Sequence, residues 1–415
     1  MYLPNIEHLS LEREASQRTV VPTDGNMPTE NAITDDQAHE DDPVVVSAKT
    51  VIKNYLEANS HAYRELQQLR EQVSYLQDRL QCARAPSTPN GFTDHHQFQG
   101  WQSSKGDQFF AKQQRVADNK SEKTDRNMNK MMKNIAREMQ RATKAFTLKS
   151  QMAPKRILDV CMAPGTYLAE ALERCPAAHA VAFTLPPEQG GLVPIVTESE
   201  TVKIHKLDIT MLAADMGLSP GEIDASHPDA ANFIHSRYLD DGRDFDLAIC
   251  DGATRRTHER AAYHFYREGR RLLLTQLVLG LEHLRPGGSM IVLLHKLERP
   301  TTIRLLRVFH GFASVVLFKP KSGHATRSSF YMIASNVRSS DREAVEAVQE
   351  WKRDWKVSTV GTDEEWREDH ARVAGFGELG IQGVLEEFGP TLVKLGQRVW
   401  KTQADGLKVA SFMKK

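Results

Sequence analysis

Apolar and polar positions fall into two alternating textures from residue 156 onward. Short apolar runs with strand character occupy 156–162 (RILDVCM), 178–185 (AHAVAFTL), 201–209 (TVKIHKLDI), 244–252 (DFDLAICDG) and 289–297 (SMIVLLHKL). Helix-like stretches lie between them: 166–175 (TYLAEALERC), a long run from Thr257 to Leu284 stopped by Arg285-Pro286-Gly287-Gly288, and 301–312 (TTIRLLRVFHGF). Strands that alternate with helices predict a mostly parallel sheet covered on both faces. Two further strands, 314–320 and 328–337, are joined by a basic loop alone. A parallel crossover needs a longer connection, so this closing pair is expected to be antiparallel.

The pattern before residue 156 is different. Residues 1–43 are polar and turn acidic (TENAITDDQAHEDD), with too little apolar content to offset the entropy of ordering, and predict disorder. Within 44–83, Ile52, Tyr55, Asn59, Ala62, Leu66, Leu69, Val73, Leu76 and Leu80 recur in steps of three and four, a seam of about four heptads. Asn59 sits at an a-type position, where a buried amide fixes partner number. The seam predicts either a coiled coil joining two copies through residues 52–80 or one amphipathic helix lying on the main domain. Residues 84–125 carry Pro, Gly and Ser without periodicity and read as a linker, in which His95 and His96 are solvated. A helix at 126–146 precedes the first strand; its stripe of Met128, Met132, Ile135 and Met139 reads as packing. After 338 comes a helical extension, 339–415. Its helical stretches at 339–355 and 391–403 flank a Gly-punctuated segment at 373–383, and Trp351, Trp355, Trp366 and Trp400 predict that it packs on the domain.

Composition narrows the setting. The 415 residues carry 54 basic and 54 acidic side chains, so no global field favours nucleic acid, and any such surface is local. The four cysteines, Cys82, Cys161, Cys175 and Cys250, show neither paired nor metal spacing, which fits a reducing compartment. No apolar run approaches the roughly 20 residues of a membrane helix. The first residues carry charges where a signal peptide is apolar. The chain is therefore expected to be intracellular, in nucleus or cytoplasm, and not secreted.

In open α/β sheets, ligands bind beyond the carboxyl ends of the strands, near the reversal of strand order. The first strand ends in Met162-Ala163-Pro164-Gly165-Thr166, small residues that let backbone approach a ligand, followed by a helix with free N–H groups. The third ends in Asp208, placed to accept from an amino group such as that of adenine. The fourth ends in Cys250-Asp251-Gly252 and the fifth in His295-Lys296, charged positions directly after apolar runs.

A parallel sheet with an antiparallel close marks the methyltransferase variant of the Rossmann-like sheet. Six segments, ILDVCMAPGTYLAEAL, FTLPPEQGG, LDITMLAADMG, FDLAICDGATRRTHERA, LRPGGSMIVLLHK and LFKPKSGHATRSSFYMIA, come in the order of the FtsJ-like (RrmJ-type) ribose 2′-O-methyltransferases. Residues 126–338 resemble that family, and more narrowly its fungal FtsJ-like members. The resemblance implies S-adenosylmethionine as cofactor, held by Asp159, Met162, Ala163, Pro164, Gly165, Thr166, Asp208 and Asp251. It also implies a Lys-Asp-Lys-Glu tetrad acting on RNA. The aspartate carries over as Asp251 and the second lysine as Lys296; the first lysine is either Lys144 or Lys133.

Two positions depart from the family. Ser329 stands at the place of the glutamate, and Thr166 replaces the glycine that usually follows Ala-Pro-Gly. A ribose-binding acid is also missing from the end of the second strand, where Glu188 is the nearest. A ribose hydroxyl is a poor nucleophile, and a lysine of lowered pKa serves it as base or steers it. The departures leave three readings: an RNA ribose methyltransferase, a cofactor- or RNA-binding pseudoenzyme, and a coiled-coil scaffold. For an RNA surface the candidates are Lys319, Lys321, His324 and Arg327 in the closing loop, and Arg255, Arg256 and Arg260 after Asp251.

Overall fold

The computed structural model describes residues 42–82, 122–149, 152–254, 265–410 and 413. Most of the expected disordered segment and linker lies outside these residues. The last residues assigned to the linker instead open a helix, α3.

Among the described residues, three helices precede the sheet: α1 (Pro43–Asn59), α2 (His61–Cys82) and α3 (Glu122–Thr143). The core then alternates β1 (Arg156–Asp159), α4 (Thr166–Arg174), β2 (His179–Thr184), β3 (Val202–Lys206), β4 (Phe245–Cys250), α5 (Glu268–Glu282), β5 (Leu284–His295), α6 (Pro300–Phe312), β6 (Ser314–Phe318) and β7 (Ser329–Val337). Helices α7 (Arg342–Val360), α8 (Asp363–Ala374) and α9 (Gly380–Lys408) follow. The strand order is β3-β2-β1-β4-β5-β7-β6. Neighbouring strands are parallel from β3 to β5, and β7 pairs antiparallel with both β5 and β6. The order reverses between β1 and β4, which fixes the ligand rim at their carboxyl ends.

Every residue of β4 is buried, as expected of a central strand; its one charged residue, Asp246, accepts from Arg156 N–H at 2.7 Å and from Arg285 at 3.0 Å. Successive strand residues divide between two faces. Leu158, Ala248, Val292 and Met332 point into a core shared with α1, α2, α5, α6, α7 and α9. Ile157, Ile249, Ile291 and Ile333 point into a second core with α3 and α4. In the second, Ile135 and Met139 of the predicted stripe are fully buried, and Met132 packs at its edge.

The first part of the heptad seam packs within the chain, and the side chains of Val73, Leu76 and Leu80 lie outside the described residues. The helix breaks at Ser60, whose hydroxyl accepts from Tyr63 N–H and starts α2. Ile52, Leu56, Tyr63 and Leu66 are buried in the first core, and Tyr63 meets Trp400 of α9 edge-on at 5.3 Å between ring centroids. Asn59 is exposed and donates to Tyr55 O at 2.8 Å, closing α1 rather than fixing a register. Periodicity alone does not distinguish a second copy from the chain's own helix α9. Leu56→Ala is expected to lower unfolding stability by about 2–5 kcal/mol in denaturant titration. A loss under 1 kcal/mol would mean that α1 is not part of the cooperative unit.

Two other boundaries moved. Arg285-Pro286-Gly287-Gly288 does not stop the preceding helix; it lies inside β5, where Gly287 has φ +86° and the register against β7 shifts after Gly288. The second C-terminal helix is longer than the expected 391–403 and runs through Pro390. The four expected tryptophans are all buried. At the junction of these layers Arg70 of α2 donates to Glu298 at 2.6 Å and to Gln403 of α9 at 3.4 Å, binding the segment after β5 to helices from both flanks.

Candidate active site

The first turn is built around one glycine. Gly165 has φ +97° and opens α4. A side chain there would meet Met162 Sδ at 2.6 Å and Val196 Cγ2 at 3.1 Å. The turn is also held from outside: Met162 N–H donates to Phe183 O at 2.8 Å, and Ile195 N–H donates to Pro164 O at 2.8 Å. The stretch around Ile195 had no sequence signal beyond its glycines and prolines. Thr166 is buried, and its hydroxyl has no hydrogen-bond partner. A buried donor-acceptor left unpaired at a helix start calls for a partner from a ligand or water.

Two carboxyl groups stand at the carboxyl ends of β1 and β4. Asp159 is buried at the end of β1 and accepts from Cys161 N–H at 3.3 Å. Burial, then the charge of Asp251, holds its carboxyl well above the usual carboxylate range. Asp251, directly after β4, keeps some accessible surface, yet burial pushes its carboxyl up to about 7. Asp251 also raises the hydroxyls of Tyr167 and Tyr331, after the larger effect of burial, and Tyr167 donates to Tyr331 at 2.7 Å.

Gln276, buried in the middle of α5, fixes the residue after Asp251. Its Oε1 accepts from Gly252 N–H at 2.8 Å and its Nε2 donates to Gly252 O at 3.2 Å. A side chain on Gly252 would come within 2.3 Å of Cys161 Sγ. Gln276 lies in an apolar helix pattern and gave no signal in sequence.

Asp208 stands at the end of β3, with β2 between it and the first turn. Its Oδ1 accepts from Thr210 N–H at 2.9 Å and Thr210 hydroxyl at 2.8 Å. Burial raises its carboxyl. Glu188 is exposed in a short turn beyond β2, so the end of β2 itself provides no acid.

At the end of β5, Lys296 adopts φ +44° and its N–H donates to Ser328 O at 3.1 Å. Ser329 pairs with His295 across the antiparallel ladder and is buried. Lys133 and Lys144 are both exposed, on α3 and just past its end. The structure thus brings Asp251 and Lys296 to one rim and leaves the first lysine unassigned.

The expected RNA surface changes in one respect. Lys319 is buried, and its ammonium donates to the carbonyls of Ser329 at 2.6 Å, His324 at 2.8 Å and Arg327. Burial lowers its pKa to about 7, while three carbonyl acceptors favour the charged form. It ties the β6–β7 loop from inside and is not a phosphate contact. His324 is half-buried, and burial lowers it to about 3. Lys321 and Arg327 are exposed. Glu138 of α3 accepts from Lys321 and Ser322 N–H, holding the same loop from outside. Arg255, Arg256 and Arg260 lie outside the described residues.

Residues 136–337 match the family model described as FtsJ-like methyltransferase. They form an FtsJ-like methyltransferase domain. No curated protein matches the chain in sequence. Among solved structures, a candidate ribosomal RNA methyltransferase from Plasmodium falciparum is 19% identical, with TM-score 0.31, covering 49% of this chain and 96% of its own. Human methyltransferase-like protein 13 in complex with SAH is 13% identical, with TM-score 0.28, covering 54% and 92%. Human N-acetylserotonin methyltransferase in complex with SAM is 13% identical, with TM-score 0.28, covering 56% of each chain. Among the described residues, no helix is long and apolar enough to cross a membrane.

The FtsJ-like rim has features that fit S-adenosylmethionine. The left-handed Gly165 leaves room that a Cβ would fill, the Thr166 hydroxyl lacks a partner, and the Asp159 and Asp251 carboxyls, raised by burial, would ionise beside a cation.

Proposed function

We propose that the chain is an S-adenosylmethionine-dependent methyltransferase acting on the 2′-hydroxyl of RNA ribose. The observation that supports this most is that neighbouring parallel strands β4 and β5 are followed at their carboxyl ends by Asp251 and Lys296. When bound, S-adenosylmethionine supplies a methyl group activated by its sulfonium. The chain's own part is positioning. Gly165 and Thr166 cradle the cofactor's amino-acid end, and Asp159 and Asp251 offer carboxylates to its positive charge. Gln276 holds Asp251 in place through both main-chain groups of Gly252. Lys296 steers the ribose hydroxyl and takes its proton. Lys321 and Arg327 meet phosphates.

A second reading is supported by Ser329, which occupies the place of the family's glutamate, buried opposite His295. On this reading the domain binds the cofactor without transferring methyl. Incubation with radiolabelled S-adenosylmethionine and total RNA, followed by nucleoside analysis, decides between them. Label in 2′-O-methylnucleosides supports the enzyme; tight cofactor binding with no transfer to any RNA pool supports the second reading.

The Asp251 carboxyl predicts a pH dependence. Below about 7 the ligand-free group holds a proton, and a cationic ligand favours the ionised form. Cofactor affinity is therefore expected to fall as pH drops through the range in which the Asp159–Asp251 pair takes up protons. Without ligand, the raised carboxyl acts in the opposite sense: its contribution to stability is full at low pH and is lost as pH rises through about 7. Calorimetry between pH 5.5 and 8.5 checks the binding slope, which Asp251→Asn should flatten. A flat wild-type profile would place the cation away from Asp251.

A further inference from the structure

The turn that carries Lys296 also carries a carboxylate. Strand β5 ends at His295, and Arg299 N–H donates to Lys296 O at 3.0 Å, closing residues 296–299 into one tight turn. Leu297 is buried, and the half-buried Lys296 and Glu298 flank it. Glu298 is braced from another element. Arg70 of α2 donates to its Oε1 at 2.6 Å, and both side chains are only 18% exposed. Arg70 is itself held, donating to Gln67 at 3.1 Å and to Gln403 of α9 at 3.4 Å. Gln403 in turn donates to Thr326 O at 3.3 Å. The brace therefore also reaches the β6–β7 loop, whose Ser328 O receives Lys296 N–H.

Charge gives the carboxylate a task. His295, next to Lys296, is pushed down to about 4 by burial and then by the cations Arg299, Lys319, Arg327 and Lys296. A lysine gathered among cations loses its proton easily, whereas a base works best with a pKa near the operating pH. Glu298 opposes that excess. Burial works to raise its carboxyl, but Arg70, and after it Lys296, holds it below the ordinary carboxylate value.

We propose that Glu298 is a positioning residue for Lys296: its carboxylate, braced by Arg70, holds the amine at the end of β5 and balances the cations around it. The proposal takes its use from the reading of Lys296 as base. It also gives the flanking helices a part in the site, because Arg70 and Gln403 lie outside the matched segment 136–337.

The test follows the Lys296 amine in the full chain, without methyl transfer. Trace acetylation with acetic anhydride between about pH 6 and 11, with the Lys296 peptide quantified by mass spectrometry, gives the pH at which the amine loses its proton. Glu298→Gln keeps an acceptor for Arg70 and removes the charge, so this midpoint is expected to fall by about one unit or more. Glu298→Asp keeps the charge on a shorter arm and should lie between the two. Arg70→Gln breaks the same ion pair but removes a cation, so its midpoint should stay or rise. An unchanged midpoint in Glu298→Gln overturns the proposal. A fall in both Glu298→Gln and Arg70→Gln would mean that the turn had only loosened, and overturns it too. S-adenosylmethionine affinity and thermal unfolding report an intact fold. In methyl transfer, Glu298→Gln should lower kcat by about tenfold to a hundredfold with KM for RNA near wild type, and move the acid limb of the pH–rate profile down with the labelling midpoint. A labelling shift in a chain that transfers no methyl would sink the enzyme reading alone; wild-type transfer with no labelling shift would sink the role of Glu298 alone.

Discussion

Lys296→Ala is expected to lose about 10²–10⁴-fold in methyl transfer while its affinity for S-adenosylmethionine stays near wild type. The amine is needed where the ribose hydroxyl reacts, three residues beyond the part of β5 that lies level with Asp251, and not at the first turn. The left-handed backbone of Lys296, with its N–H on Ser328 O, directs the chain away from the ladder at this point. Single-turnover rates with saturating cofactor, alongside calorimetry, separate the two quantities. Transfer by the variant at the wild-type rate would remove Lys296 from the chemistry.

Gly165→Val is expected to abolish measurable cofactor binding, a loss of at least about a hundredfold. A β-branched residue at φ +97° is strained by itself. Its Cβ would also lie 2.6 Å from Met162 Sδ and 3.1 Å from Val196 Cγ2, so these side chains must shift as well. The turn itself is held by Ile195 N–H on Pro164 O, which leaves the strained φ little room to relax. Calorimetry with S-adenosylmethionine gives the answer, with thermal unfolding as a check that the domain still folds. Near-normal affinity would place the cofactor elsewhere.

The sheet was legible because each strand is an apolar run ending in chemistry. ILDV, FDLAIC and MIVLLH declare buried parallel strands, and the aspartates and lysine that follow them lie at the rim where such sheets bind ligands. The antiparallel close followed from a connection too short for a crossover. What stayed hidden depends on three-dimensional neighbours. A heptad seam looks the same whether it packs on another copy or on α9 of its own chain. A basic loop looks solvated, yet Lys319 is consumed by three carbonyls inside it. Gln276 reads as one polar residue in an apolar helix, and only the fold brings it to Gly252. Thr166 was visible as a departure, but its lack of a partner was not.

The contact of Arg70, Glu298 and Gln403 bears on the order in which the molecule is made. Glu298 follows β5, while its clasp comes from α2, over 200 residues earlier, and α9, over 100 residues later. Synthesis runs at about 5–20 residues per second, so α2 waits roughly 10–45 seconds for the segment it holds. The wall beside Lys296 then stays unfinished until α9 has left the ribosome. During that interval the apolar faces of α1 and α2 have no permanent cover, and they are the surfaces a chaperone would meet first. The segment that matches the family, 136–337, is thus shorter than the span from α1 to α9 whose side chains share its core.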